Sequence, residues 1–254
     1  MMLLKSFLFV LMTAFMSLLN AAEIRVGAAS NLRFVLPELA QSFQQQTGHQ
    51  LHISFAASGT LVSQIQHGAP FDVFMSANPD YISRLKLAGY TQGNAVDFAQ
   101  ALLALYSNND SELTLDSELN SIKQALQNNT LKKIVIANPQ HAPYGQLAKQ
   151  LLQQQGLWQQ VQTHLLIAEN AAQSLQFSMS PQVSIGFVPY TCVIQPKIAE
   201  TGRSLKLNLS LLQQAIIVGD ADDSAQLWLA YLSSPKAKQI LLKHGFLVND
   251  ETIP

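Results

Sequence analysis

Cysteine is almost missing from this chain. Cys192 is the one thiol in 254 residues, so no disulfide can form within the molecule. Charge is scarce as well. Asp, Glu, Lys and Arg make up 12% of the residues, with 15 basic against 16 acidic and a net charge of −1. A chain so poor in basic groups has no face with which to hold a polyphosphate backbone, which excludes nucleic acid as a partner. Metal-ligand spacing is absent too, because six histidines are scattered beside a single cysteine and no zinc pattern results. Asp220-Ala221-Asp222-Asp223 starts like a calcium loop but lacks the glycine and the distal glutamate. It reads instead as a solvated turn capping the next helix. Long apolar runs are confined to the first residues, and no later segment is apolar enough to span a bilayer.

What is present begins with that run. Met1 to Lys5 is a short basic start, Phe7 to Leu19 is apolar, and Asn20-Ala21-Ala22 offers small residues for processing. This is the layout of a secretory signal peptide spanning residues 1–22, with an uncleaved anchor as the alternative. No cysteine lies near the processing site to carry a lipid. The remaining chain is long enough for one large domain or for two lobes, each with its own core. Uncharged glutamines, as at Gln44 to Gln46 and Gln153 to Gln155, supply much of its surface polarity.

The pattern after residue 23 alternates. Ile24 to Gly27 reads as a strand and Leu32 to Gln46 as a helix with Leu36, Leu39, Ala40 and Phe43 on one face. Leu51 to Phe55 reads as a strand, Leu61 to Gln66 as a helix, and Phe71 to Ser76 as an apolar strand suited to a buried parallel position. A β-α-β-α-β order predicts an α/β, doubly wound fold. Further strands are expected at Ala101 to Tyr106, Lys133 to Ala137, Leu165 to Ile167, Ser184 to Val188 and Leu211 to Val218. Helices are expected near Pro79 to Ala88, Leu119 to Asn128, Tyr144 to Gln155 and Ala171 to Met179, with two more between Ser224 and Gly245 broken at Ser233 to Pro235.

Two short polar segments carry the chemistry. Ser30 in Ala28-Ala29-Ser30-Asn31-Leu32 and Ser58 in Ala56-Ala57-Ser58-Gly59-Thr60 both fall between a strand and a helix. Helix starts also follow strands near Tyr144 and Ala171. A helix start presents unpaired N–H groups and the positive end of the dipole, so several converging starts make an anion site without any basic residue. Serine as an ordinary N-cap explains either position taken singly. A serine hydrolase would need a Gly-x-Ser-x-Gly elbow, which is absent, and His52, His67, His141, His164 and His244 stand in no triad context. His141 is the histidine expected near a cleft. Asp72 reads as a carboxylate satisfied by turn backbone after Pro70 rather than as a catalytic acid.

The order of these motifs is specific. Ala28-Ala29-Ser30, Phe55 to Leu61, Gly68 to Ala77, Asn138-Pro139-x-His141-x-Pro143-x-Gly145, Ala168-Glu169-Asn170, Ile185-Gly186-Phe187-Val188, Tyr231-Leu232-x-Ser234-Pro235-x-Ala237 and Gly245-Phe246 follow one another in order. In this the chain resembles the periplasmic molybdate-binding proteins of molybdenum ABC transporters across nearly all of its mature length. The resemblance implies a type II periplasmic binding protein fold, with two doubly wound lobes closing on a tetrahedral oxyanion. The lobes would comprise residues 23–102 with 205–254, and residues 103–204. It implies that Ser30 and Ser58 bind the anion through hydroxyl and backbone N–H, and that Tyr144 and Ala171 do so through backbone N–H. Some members add a tyrosine hydroxyl just after the Gly-Phe-Val strand; the position by count is Pro189, and Tyr190, one residue on, completes the expected set. These same residues would hold molybdate or tungstate as an oxyanion, with no direct cation ligand, no cofactor and no catalysis. A monomer in the periplasm, delivering its ligand to an ABC permease in the inner membrane, is the implied setting. Another oxyanion or a small organic acid as ligand, a sensor built on the same fold, and a serine hydrolase stand as the alternatives.

Overall fold

The computed structural model describes residues 22–248; the signal-peptide segment expected at the N-terminus lies outside them except for Ala22. The chain runs β1 (Glu23–Ala29), a single 310 turn (Ser30–Leu32), α1 (Leu36–Thr47), β2 (Gln50–Ala56), α2 (Ser58–Gln66), β3 (Val73–Ser76) and α3 (Pro79–Leu87). It continues through β4 (Thr91–Asn108), α4 (Asn120–Gln127), β5 (Lys133–Ala137), α5 (Pro143–Gln154), β6 (Leu165–Ala168), α6 (Ala171–Ser178) and β7 (Val183–Pro189). Two short helices α7 (Tyr190–Val193) and α8 (Pro196–Ala199), the strand β8 (Gly202–Val218), and helices α9 (Asp223–Leu232) and α10 (Pro235–Lys243) complete it.

The eight strands form one sheet in the order β2-β1-β3-β8-β4-β7-β5-β6. β1 is parallel to β2 and β3, and β5 is parallel to β6 and β7. The first and second halves thus repeat one arrangement, with the second strand outermost and the third crossing to the inner side. Each half carries its helices on the sheet faces, as the doubly wound pattern requires. The halves are joined by β4 and β8, which pair antiparallel from Thr91 with Val218 to Asn108 with Gly202. β8 also pairs with β3 near its C-terminal end, and β4 pairs with β7 near its own. Both strands therefore run through the junction between the halves.

These two strands, of 18 and 17 residues, are far longer than the sequence pattern predicts. Register shifts between Gln92 and Val96, Asp97 and Ala99, and Leu102 and Ala104 explain the difference. Each bulge resets the two-residue alternation and bends the strand, so no continuous period survives in the sequence. A second correction falls at α1, which begins at Leu36 rather than Leu32. Pro37 lacks an N–H and its ring crowds the carbonyl four residues back, so no α-helix can enter it from upstream. Ser30–Leu32 is consequently a turn of its own. Gly48, at φ +81°, ends α1 in the left-handed conformation that suits glycine.

The core is continuous across both halves. In the first half, Phe43 of α1 packs edge-on to Trp228 at 5.2 Å, with Tyr231 stacked behind it at 5.6 Å. This aromatic cluster holds the C-terminal helices against α1, and Lys243 and His244 reach Glu38 there at 2.9 and 2.8 Å.

Candidate functional site

Five of the strand ends open on one small cavity of about 10 Å³. Ala29, Ser30 and Asn31 follow β1; Ala56, Ala57 and Ser58 follow β2; Ala77 follows β3; Ala142, Pro143 and Tyr144 precede or open α5; Ala171 opens α6. The cavity therefore lies outside the carboxyl ends of parallel strands from both halves, where doubly wound sheets bind ligands. Ser30, Ser58, Tyr144 and Ala171 are brought together, all at most 5% exposed. No lining residue has a charged side chain and none is a histidine. The space is far below the roughly 300 Å³ or more that a drug-sized molecule needs. A much larger open groove, about 730 Å³, is lined by Asp110 to Thr114, Asp116, residues of α4 and Ser184, all from the second half. Of these two, the small cavity is the one built from both halves.

The local chemistry differs from ordinary helix capping. Ser58 is not the cap of α2: Ala57 is, and it makes no side-chain bond to the helix. α5 is likewise capped by Ala142 without a side-chain bond, and Pro143 at its first position has no N–H. Alanine is among the poorest N-caps. Elsewhere Asn78, Asp222 and Ser234 cap α3, α9 and α10 through their side chains. α6 lies between these cases. Asn170 takes the N–H groups of Ala172 and Gln173 and leaves that of Ala171. The first-turn N–H groups of Ser58, Tyr144 and Ala171 are thus left without an intrahelical acceptor at three positive dipole ends.

Both serine hydroxyls are used as acceptors within the protein. Ser58 Oγ accepts from Ala77 N–H at 3.2 Å, and Ser30 Oγ accepts from Ala172 N–H at 3.3 Å. Their own protons have no acceptor among the described residues, which leaves two O–H donors at the cavity wall. The halves meet tightly around it. Gly59 N–H donates to the His141 carbonyl at 2.8 Å, and Gln146 Nε2 donates to Tyr81 Oη at 3.0 Å. Ala57, Ala137 and Ala142 form a small apolar contact beside them. Small residues line this seam because the backbones themselves approach. A Cβ on Gly59 would fall against the His141 backbone across the seam.

The remaining candidates fall elsewhere. Tyr190 opens α7, half-buried, and is not among the cavity-lining residues; its ring lies under the Lys206 ammonium at 5.5 Å. His141 sits at the seam, where its carbonyl serves Gly59 and its ring meets Glu169 at 3.2 Å. Asp72 precedes β3 and grips Arg25, accepting from the backbone N–H at 2.7 Å and from the guanidinium at 3.0 and 2.6 Å. It is structural as expected, but its partner is Arg25 on β1 rather than the turn after Pro70. Asp222 is a helix cap, accepting from Ser224 N–H at 2.9 Å.

Asn31 and Gln213 are missed by the sequence pattern. Asn31 lines the cavity, and its Nδ2 donates to Gln213 Oε1 at 3.0 Å in the interior. The signal for Gln213 was a polar residue inside the apolar run Leu211 to Val218. Tyr144 stands against Asn31 with its hydroxyl buried and unbonded. Burial pushes the phenol well above its ordinary pKa, Cys192 adds to that, and the Asn31 amide opposes it. Cys192 lies behind Asn31, and burial pushes its thiol up to about 12. A thiol so raised stays neutral through the working pH range and brings no negative charge to the cavity. Native protein at pH 8 should therefore leave Cys192 unmodified by a thiol-specific disulfide reagent, and unfolded protein should take up one equivalent. Prompt labelling of the native protein would contradict this burial.

Comparison with known proteins bears on what such a site serves. The model of a family described as bacterial extracellular solute-binding protein matches residues 24–247. A molybdate-binding protein, ModA, of Azotobacter vinelandii is 31% identical over 234 residues, covering 89% of this chain and 90% of that protein. The ModA protein of Rhodobacter capsulatus is 29% identical over 234 residues, with 89% of each covered. Among solved structures, the periplasmic molybdate-binding protein of Azotobacter vinelandii superposes with a TM-score of 0.79 at 28% identity, covering 89% of this chain and all of that one.

Proposed function

The chain belongs to the family of bacterial extracellular solute-binding proteins, and from that premise we propose that it captures molybdate or tungstate and delivers it to an ABC permease. The fold is the type II periplasmic binding fold of its structural relatives, and the protein binds rather than catalyses. In this reading residues 23–102 with 205–254 form one lobe and 103–204 the other. The anion lies between them in the periplasm, held by Ser30, Ser58, Tyr144 and Ala171, and the protein acts as a monomer without a cofactor.

One observation carries the ligand class: an uncharged cavity ringed by three helix starts, two of them with alanine N-caps, and by two serines with protons to donate. Stripping a doubly charged oxyanion of water is costly unless every oxygen finds a donor. Fixed N–H and O–H groups supply that without a titratable side chain and without a countercharge to trap the ligand. Rigid helix starts also set the distance across the cavity, so the smaller sulfate is rejected by size rather than by charge. The hydrolase alternative lacks its base, since no histidine lines the cavity. Closure around the anion would create the surface that the permease reads.

Calorimetric titration of the mature protein, stripped of ligand by unfolding and refolding, tests the reading. Molybdate and tungstate should bind tightly with one-to-one stoichiometry, while sulfate and phosphate give no heat. Heat from sulfate or phosphate with silence from the other two would move the chain to another oxyanion. Silence from all four would remove oxyanions altogether.

A further inference from the structure

The four candidate positions are not equally well supported. Ser58, Tyr144 and Ala171 sit on the first turns of helices of 9, 12 and 8 residues. Ser30 sits on a three-residue 310 turn that Pro37 cuts off from α1, and its closing bond, Arg33 N–H to Ser30 carbonyl, is long at 3.4 Å. Something else must hold that turn in place.

Ser30 Oγ accepts from Ala172 N–H across the cavity, and two further long-range contacts fall on Asn31. The Cys192 thiol points at the Asn31 carbonyl at 3.9 Å, from α7. The Asn31 side chain donates through Nδ2 to Gln213 Oε1 at 3.0 Å, from β8. Asn31 and Gln213 are 2% and 0% exposed, so no water competes for either group. The direction of the bond is determined. Gln213 Nε2 is committed to the Leu211 carbonyl at 2.8 Å, which leaves only Oε1 to face Asn31. Oε1 needs a donor, so Asn31 must present its NH2 there and turn Oδ1 away, where it has no partner. A half-buried backbone carbonyl on β8 thereby fixes the rotation of an amide at the cavity wall.

Resting on the oxyanion reading above, we infer that Gln213 is a positioning residue for the anion site, acting through Asn31. It does not line the cavity itself. It sits on the strand that runs between the two halves, opposite Ala99 of β4, and anchors the one anion-binding segment that lacks a helix of its own. Losing this bond leaves the Ser30–Asn31 turn free to drift and the Asn31 amide free to rotate.

A double-mutant cycle read by molybdate calorimetry tests this. Gln213→Met keeps the volume and removes both amide bonds, and it should weaken molybdate binding about tenfold or more. Asn31→Ala should weaken it too, and adding Gln213→Met to Asn31→Ala should cost nothing further. Losses that add in full, or a Gln213→Met protein that binds like the parent, would overturn the inference. A parent that binds none of the four oxyanions overturns the ligand reading, and the inference falls with it. Where Gln213→Met melts below the titration temperature, the parent decides the matter by NMR. The side-chain NH2 signals of Asn31, assigned by their loss in Asn31→Ala, should exchange slowly with solvent; exchange at the rate of an exposed amide would overturn the relay.

Discussion

Gly59→Ala should keep the fold and lose most of the ligand affinity. Gly59 occupies the second position of α2, in ordinary helical conformation, where alanine is the better helix former by up to about 1 kcal/mol. In the open protein the substitution is thus neutral or mildly stabilising. In the closed arrangement its Cβ would stand 2.8 Å from His141 Cβ and 2.9 Å from both His141 Cα and the His141 carbonyl oxygen. Two of these atoms are backbone, so no rotamer change relieves the overlap. The same approach carries the Gly59 N–H to His141 carbonyl bond across the seam. Overpacking of this kind costs about 1–3 kcal/mol. If ligand is held only when the halves close, that cost appears in full as lost affinity, roughly 10- to 100-fold. Calorimetry and a thermal melt of the ligand-free protein check it together: affinity should fall while the melting temperature holds or rises. Parental affinity in Gly59→Ala would show that ligand is held without this seam.

Much of this arrangement was legible in the sequence, and what was not has a physical cause. Many of the helices were readable because they follow one period and stop at or next to a glycine, as α1 does at Gly48, and the parallel strands because they are short apolar runs between them. Ser30, Ser58 and the helix starts near Tyr144 and Ala171 could all be placed after strands, and the resemblance added that the last two act through backbone N–H. The roles of the serines were harder to read. Sequence places serine at a helix start, where capping is its commonest use, yet the structure gives the capping positions to Ala57 and Ala29. The serine hydroxyls instead take N–H groups from Ala77 and Ala172, residues 19 and 142 positions away. No local pattern encodes a bond to another strand end, least of all the Ser30 bond, which reaches the other half of the sheet. The same holds for Gln213, whose partner lies 182 residues earlier, and for the length of β4 and β8, whose bulges erase the alternation that would reveal it.

The serines give the second large effect. Ser30→Ala and Ser58→Ala each remove a hydroxyl that accepts within the protein and has its proton to spare. A hydrogen bond to a charged partner is worth about 1.5–3 kcal/mol, so each substitution should weaken molybdate binding roughly 10- to 100-fold. The pair together should cost less than the roughly 10²- to 10⁴-fold that strict additivity gives, because both donors share one ligand. Stability separates the two. Ala172 N–H keeps Asn170 Oδ1 at 3.0 Å when Ser30 is lost, so Ser30→Ala should melt like the parent. Ala77 N–H has only Ser58 Oγ, and that oxygen belongs to a fully buried residue. Ser58→Ala strands a buried donor at a cost of about 1–3 kcal/mol, and its melting temperature should drop in the ligand-free protein. An anion donor and a structural hydroxyl are thereby told apart. Ser58→Ala with a lowered melting temperature but unchanged affinity would make Ser58 a support for the β3 end and nothing more. Ser30→Ala with unchanged affinity would remove the 310 turn from the site, and with it the reason for Gln213 to hold Asn31.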